Sequence, residues 1–396
     1  MSRVLYYKGV PSVRTTISCR LVAPTVLALG VVIPSVTRAP ADDPALRVPS
    51  EVRWSATLAA PAAGGPVLAG TYIYFPLQSG VVVAHRLADG GEVWRKELRP
   101  DQPLSADAEH VFVAAGEAIY AFTHDGTAAW HVQSGALTAP LLTSDGWVIA
   151  ASGGRVSAYR AADGTQVWQR DTGVARARAS IEGNRVYVPA EDGRLLALEL
   201  ADGTPRWEHR FKGTLTEVLP FADRVYVGAS DRYFYCLDAG DGSIAWRVLV
   251  GTALRGKPAG DAERAYVVAL DNQLRAYDRR SGSLKWPLRA VPFRPSGGPT
   301  VLGSMILVAG LAPDVHAFNA VTGDPIGKIS LPAPLLAPPA FLDTRLGVLM
   351  TAITGDLNAQ WKLSLTGQPP APIPSPKVAP LTALPGQPVP AGRGGL

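Results

Sequence analysis

The stretch RAADGTQVWQRDTG, residues 160–173, decides how this chain is read. An Asp-Gly pair separates two strand-like segments, and a Trp follows four residues after the Gly. Asp-Gly in that setting is a hairpin signal, because Gly takes the positive φ of a tight turn at low cost. The phrase recurs. Anchored on the small residue at the end of the preceding apolar run, eight copies are found, at Ala84, Ala121, Ala158, Ala197, Cys236, Ala276, Ala317 and Ala359, spaced by 37 to 42 residues. Trp94, Trp130, Trp168, Trp207, Trp246 and Trp286 follow the first six anchors, whereas Gly327 stands where the seventh Trp belongs.

Each copy has a second apolar run upstream, such as TYIYF from residue 71, RVYV from 185 and MILVA from 305. Aromatic and β-branched residues bounded by Asp-Gly, Gly-Asn and Ser-Gly turns predict strands, and no amphipathic helix is visible. A period near 40 with about four strands per unit predicts an all-β, eight-bladed β-propeller of four-stranded antiparallel sheets. The Trp residues are read as wedges between blades, each indole N–H finding a backbone acceptor. The small-residue column is expected to leave room for a neighbouring blade. The eighth copy ends near LNAQWKLS (357–364) without a following Asp-Gly and Trp, while RWSATL (53–58) supplies Trp54 ahead of the first unit. The N-terminal strand is therefore expected to close the ring, removing an open sheet edge.

With 47% hydrophobic residues, 40 Gly and 35 Pro, the chain can bury a large core and make many short turns. The net charge of +5 lies in the leader: Arg3, Lys8, Arg14, Arg20 and Arg38 precede the first carboxylate, Asp42, leaving 33 basic and 33 acidic residues beyond. A neutral body argues against a nucleic-acid binder, which needs a basic face. The leader also carries LVAPTVLALGVVIP (21–34) and then Ala39-Pro40-Ala41, the layout of a secretory signal peptide. The apolar run is shorter than the roughly 20 residues of a membrane span. We therefore expect a signal peptide at 1–41, a linker at 42–51, the propeller at 52–365 and a disordered Pro-rich tail at 366–396. The product is expected to be monomeric and exported, residing in the periplasm or at the outer-membrane periphery. Once the leader is removed, Cys236 is the single cysteine, so no internal disulfide forms, and it reads as a buried substitute for Ala.

LRAYDRRSGSLKW, LLALELADGTPRW and FYCLDAGDGSIAW resemble the PQQ-like (WD40-like) propeller repeat over about residues 52–364. The resemblance implies one of two branches. Quinone-dependent alcohol or sugar dehydrogenases hold a quinone and calcium over the channel, usually beside adjacent cysteines. Those cysteines are missing here, and the expected inner strands carry few carboxylates, Glu182 and Glu217 being the candidates. The other branch is BamB-like, a non-catalytic subunit of the outer-membrane β-barrel assembly machinery, and it suits the compact length and the absence of cofactor chemistry. TALRGKPAG (252–260) resembles the segment with which that family contacts the barrel-forming subunit, with Leu254 and Arg255 in the corresponding positions. Lys257 and Pro258 depart from the family pattern, and no lipid-anchor cysteine follows the leader.

Other motifs carry little. GTALRGKP (251–258) falls short of a phosphate-binding loop because Pro258 replaces the hydroxyl residue and no helix follows. The six histidines lack metal-ligand spacing, and no G-x-S-x-G elbow is present. Arg176, Arg178, Lys212, Arg255, Lys257 and Arg294 fall in the connections from one blade's outer strand to the next blade's inner strand. Those connections share one face, so the cations are expected to form a crescent suited to an acidic partner loop. The resulting expectation is a non-catalytic, cofactor-free scaffold that binds protein partners, including the barrel assembly complex. The alternatives are a quinone-dependent oxidoreductase and a generic periplasmic scaffold or ligand sensor.

Overall fold

The computed structural model describes residues 51–330, 334–335, 340–342, 347–351 and 356–361. The expected signal peptide, nearly all of the linker and the Pro-rich tail lie outside the described residues. Among the described residues every helix-or-strand element is a strand. The sequence pattern explains which strand goes where. Arg194–Glu199 reads RLLALE and is buried on both faces, as a strand between two neighbours on each side must be. Glu92–Glu97 reads EVWRKE and alternates between exposed and partly buried, the pattern of a half-solvated edge.

The strands pair into four-stranded antiparallel sheets. Seven of these lie wholly within residues 67–330 and follow chain order; the third is typical, with Leu142–Ser144, Trp147–Ser152, Arg155–Arg160 and Gln166–Asp171. An eighth sheet joins Ala340–Leu342, Gly347–Thr351 and Asp356–Trp361 to Glu51–Thr57, with Trp54 opposite Ala359. This is the N-terminal closing strand that the sequence predicts. The first strands of the seven consecutive sheets are two or three residues long, and successive ones lie side by side, as Ser180–Glu182 does with Leu219–Phe221. They are the innermost strands and face a central channel.

The core is divided into wedges between sheets. One cluster joins Trp147, Ile149 and Trp168 of the third sheet to Val186, Val188 and Leu198 of the fourth. Another joins Tyr226, Phe234 and Trp246 of the fifth to Ala265, Val267 and Tyr277 of the sixth. A third packs Trp54 and Ala340 of the closing sheet against Ile73, Phe75 and Val83 of the first. No single sheet buries both its faces alone, which is why the sequence repeats.

The recurring Trp and Gly meet across these wedges. Indole Nε1 of Trp54, Trp94, Trp130, Trp168, Trp207 and Trp246 donates to the carbonyls of Leu87, His124, Ala161, Leu200, Ala239 and Arg279 in the next sheet, at 2.7 to 3.0 Å. The turn Gly of that next sheet lies directly beneath the ring. At Gly90, Gly126, Gly164, Gly203, Gly242, Gly282 and Gly323 φ is +71° to +89°, and a Cβ would come within 2.5 to 2.9 Å of the preceding sheet's indole. Gly is thus required twice, by its backbone conformation and by close approach. Trp286 keeps the stacking contact but not the bond: its Nε1 is buried without an acceptor, while the Ala320 carbonyl takes the Tyr266 hydroxyl at 3.0 Å.

Two details differ from the sequence reading. The small residue lies opposite its own sheet's Trp, as Ala158 does with Trp168 and Cys236 with Trp246, and the register shifts immediately after it. Its size therefore serves the cross-strand indole as well as the neighbouring sheet. In the sixth sheet, Pro287 follows Trp286, and the outer strand shrinks to Arg289–Ala290. Proline has no N–H to give the ladder, so pairing resumes only beyond it.

Candidate functional site: the loop face and the channel mouth

The connections between sheets and the turns between second and third strands occupy one face. They are tied together by bridges, including Ala175 with Ala190, Leu254 with Ala269 and Pro295 with Gly310. This is the face on which the sequence places its cations, and the structure sorts them into three groups.

Leu254 is a core residue. It is 8% exposed, belongs to the wedge between the fifth and sixth sheets, and presses on Gly228, where a Cβ would sit 2.5 Å from its Cδ1. The expectation that Leu254 offers a contact surface is corrected on that ground. Arg176 is exposed but paired, its Nε lying 3.2 Å from a Glu191 carboxylate oxygen. It is not a free cation as the crescent requires. Lys212, Arg255 and Arg294 are exposed, with no ion pair to any described residue.

Arg178 and Lys257 form the third group, at the channel. Each stands two residues before an inner strand, as does Glu217 in the sheet between them. The Arg178 side chain lines a cavity at the inner strands, whereas Arg176 turns to Glu191; Lys257 lies near enough to Glu217 and Arg178 to feel both charges. Lys257 is exposed, although protein crowds much of its length. The lost hydration lowers its pKa below the usual lysine range, with the Glu217 carboxylate opposing and Arg178 reinforcing the shift. The backbone around it is tight: Gly256 has φ +64°, and a Cβ there would collide with the Gly297-Gly298 backbone, which itself abuts Lys257. GTALRGKP therefore owes its second Gly to packing between the sixth and seventh sheets.

Beside Arg178 the channel opens into a cavity of about 390 Å³. The starts of the first three inner strands line it (residues 65–67, 103–106 and 141–143), and Arg178 is its one charged residue. Its hydroxyls are engaged: Ser105 pairs with Thr143 at 2.8 Å, and Thr143 donates to the Ala106 carbonyl at 2.9 Å. Arg178 is half-buried, and its Nε is enclosed without an acceptor.

These residues do not fit a quinone and its calcium. No aromatic side chain lines the cavity, and among the described residues no three His, Cys, Asp or Glu converge to hold a metal ion. Glu182 is at the opposite end of its inner strand, accepting the Ala222 N–H at 2.6 Å and linking the fourth sheet to the fifth; burial raises its pKa. The histidines serve packing: His85 bonds the Gly90 carbonyl, His124 bonds the Tyr74 hydroxyl and His131 stacks on Tyr120. Cys236 is fully buried, and desolvation pushes its thiol up to about 12, an unreactive state.

The distinction between Arg176 and Arg178 is the feature that sequence reasoning missed. The sequence carries no local signal for it, because Arg176 is claimed by Glu191 from another turn and Arg178 is placed by the cavity beside it.

Comparison with known proteins adds the following. The profile of the family described as outer membrane protein assembly factor BamB matches residues 45–153, 152–232 and 218–295. No curated protein sequence matches the chain. Among solved structures, BamB from Moraxella catarrhalis is 18% identical, with a TM-score of 0.65 over 79% of this chain and 99% of that one. The computationally designed protein Ika8 is 13% identical, with a TM-score of 0.69 over 78% and 99%. The quinohemoprotein alcohol dehydrogenase ADHIIG from Pseudomonas putida HK5 is 13% identical, with a TM-score of 0.60 over 82% and 78%. At these identities the structural likenesses establish the propeller fold, which serves unrelated functions.

Proposed function

We propose, from the premise that the chain belongs to the family described as outer membrane protein assembly factor BamB, that it is an exported, non-catalytic scaffold of the cell envelope. In this reading it captures an acidic segment of a partner protein during outer-membrane protein assembly. The observation that carries it is the set of exposed cations Lys212, Arg255 and Arg294 on the loop face, without ion pairs among the described residues. Unpaired surface cations on one face favour encounter with an acidic partner and add specificity more than raw affinity.

The test is a crosslinked pull-down from cell envelopes, reading recovery of the barrel-forming subunit. Reversing Lys212, Arg255 and Arg294 together to Glu is expected to lower recovery by about tenfold. Reversing Arg176, which already has Glu191, is expected to change it little. Equal recovery by all variants, or no recovery by the unaltered protein, would remove the assembly reading. The likeness to a quinohemoprotein dehydrogenase is one of fold alone; dye reduction by the protein with added quinone, calcium and alcohols or sugars would overturn the non-catalytic reading.

A further inference from the structure

We propose that the channel cavity beside Arg178 is a binding site for a small carboxylate. This goes beyond partner capture and uses different residues. The cavity, at about 390 Å³, falls in the lower part of the size range of small-molecule sites. Its walls are neutral, and its hydroxyl protons are directed to protein acceptors. The one group left to orient a ligand is the Arg178 guanidinium.

The two terminal nitrogens of a guanidinium form a planar fork that matches the two oxygens of a carboxylate. Arg178 makes no hydrogen bond to a described residue, and its terminal nitrogens, unlike its enclosed Nε, remain open, whereas Arg176, two residues earlier, is held by Glu191. Charge narrows the class further. Arg178 is the one charged residue of the lining, so a single negative charge on the ligand is matched and a second is not.

The experiment is isothermal titration calorimetry on the whole protein with hexanoate, its neutral isostere hexanamide, inorganic phosphate, and a short capped peptide bearing one Asp. Hexanoate is expected to bind, with hexanamide and phosphate at least about tenfold weaker. Arg178→Gln is expected to lose the hexanoate signal, Arg178→Lys to keep a weakened one, and Arg176→Gln to match the unaltered protein. Binding by the Asp peptide but not hexanoate, still lost in Arg178→Gln, supports the carboxylate site and assigns its source to a protein segment. Failure of both to bind, or binding that survives Arg178→Gln in a variant with unchanged circular dichroism, overturns the proposal. Partner recovery by Arg178→Gln is expected to match the unaltered protein, so the cavity and the outer loop face fail separately.

Discussion

At the scale of residues, the turn glycines separate two physical demands. Gly164 has φ +73° and would place a Cβ 2.7 Å from the Trp130 ring, whereas Gly116 has φ +63° and would meet nothing within 4 Å. Gly116→Ala is expected to cost about 1 kcal/mol, the strain of a left-handed backbone alone. Gly164→Ala should cost about 3 kcal/mol, because the indole must also yield. Urea denaturation of the two variants compares them directly, and equal costs would show that the ring moves aside freely. The positive φ of Gly164 was legible in the sequence, since Asp-Gly between strands demands it. Which neighbour lay beneath it was not, because the indole comes from the preceding repeat. Leu254 teaches a related lesson: resemblance suggested an exposed pair with Arg255, but in an extended segment adjacent side chains face opposite ways, and the apolar one faces the core.

At the scale of elements, the hairpins between third and fourth strands carry a pH dependence. In five of them the carboxylate of an Asp (Asp89, Asp125, Asp163, Asp202 or Asp241) accepts the backbone N–H of the residue two further on, at 2.8 to 2.9 Å. Such bonds favour the ionised form. The backbone N–H groups of Gly91 and Thr204 lower the Asp89 and Asp202 carboxyls, and that of Ser281, with others, lowers Asp278 to about 2. A depressed folded pKa gives stability that is complete above the unfolded aspartate value of about 3.9 and disappears as pH falls through the folded value. His209 and His316, lowered by burial, add a shallower loss that begins below the ordinary histidine value of about 6.5. Glu182, raised by burial, works in the opposite direction. The thermal midpoint is therefore expected to sag slightly below neutrality and fall most steeply between about pH 4 and 2. Asp278→Asn should flatten part of the steep limb. A midpoint that rises on acidification from pH 4 would contradict the assignment. The turns themselves were readable from Asp-Gly spacing, but the truncation of the sixth sheet's outer strand needed Pro287 to be weighed against Trp286 one residue before it.

At the scale of the whole molecule, closure depends on seven residues at the start of the described chain. Deleting Glu51–Thr57 leaves Asp356–Trp361 as an unpaired edge and removes Trp54 from the Leu87 carbonyl and Gly90. An open edge invites pairing between copies, so the deletion is expected to lower the thermal midpoint and shift the protein to larger species in size-exclusion chromatography. Unchanged elution and melting would show that the ring does not rely on this strand. The closing strand was legible because one Trp stood ahead of the first repeat and none followed the last. The channel site was less so, since Arg176 and Arg178 look alike in sequence until Glu191 is found beside one and the cavity beside the other. The pairing of Trp54 with Ala359 has a further consequence in time. Its two halves lie about 300 residues apart in sequence, so the segment synthesised early waits for the one synthesised last. A circularly permuted chain that begins at the first inner strand and carries 51–57 after the eighth repeat would convert this long delay into an ordinary hairpin step.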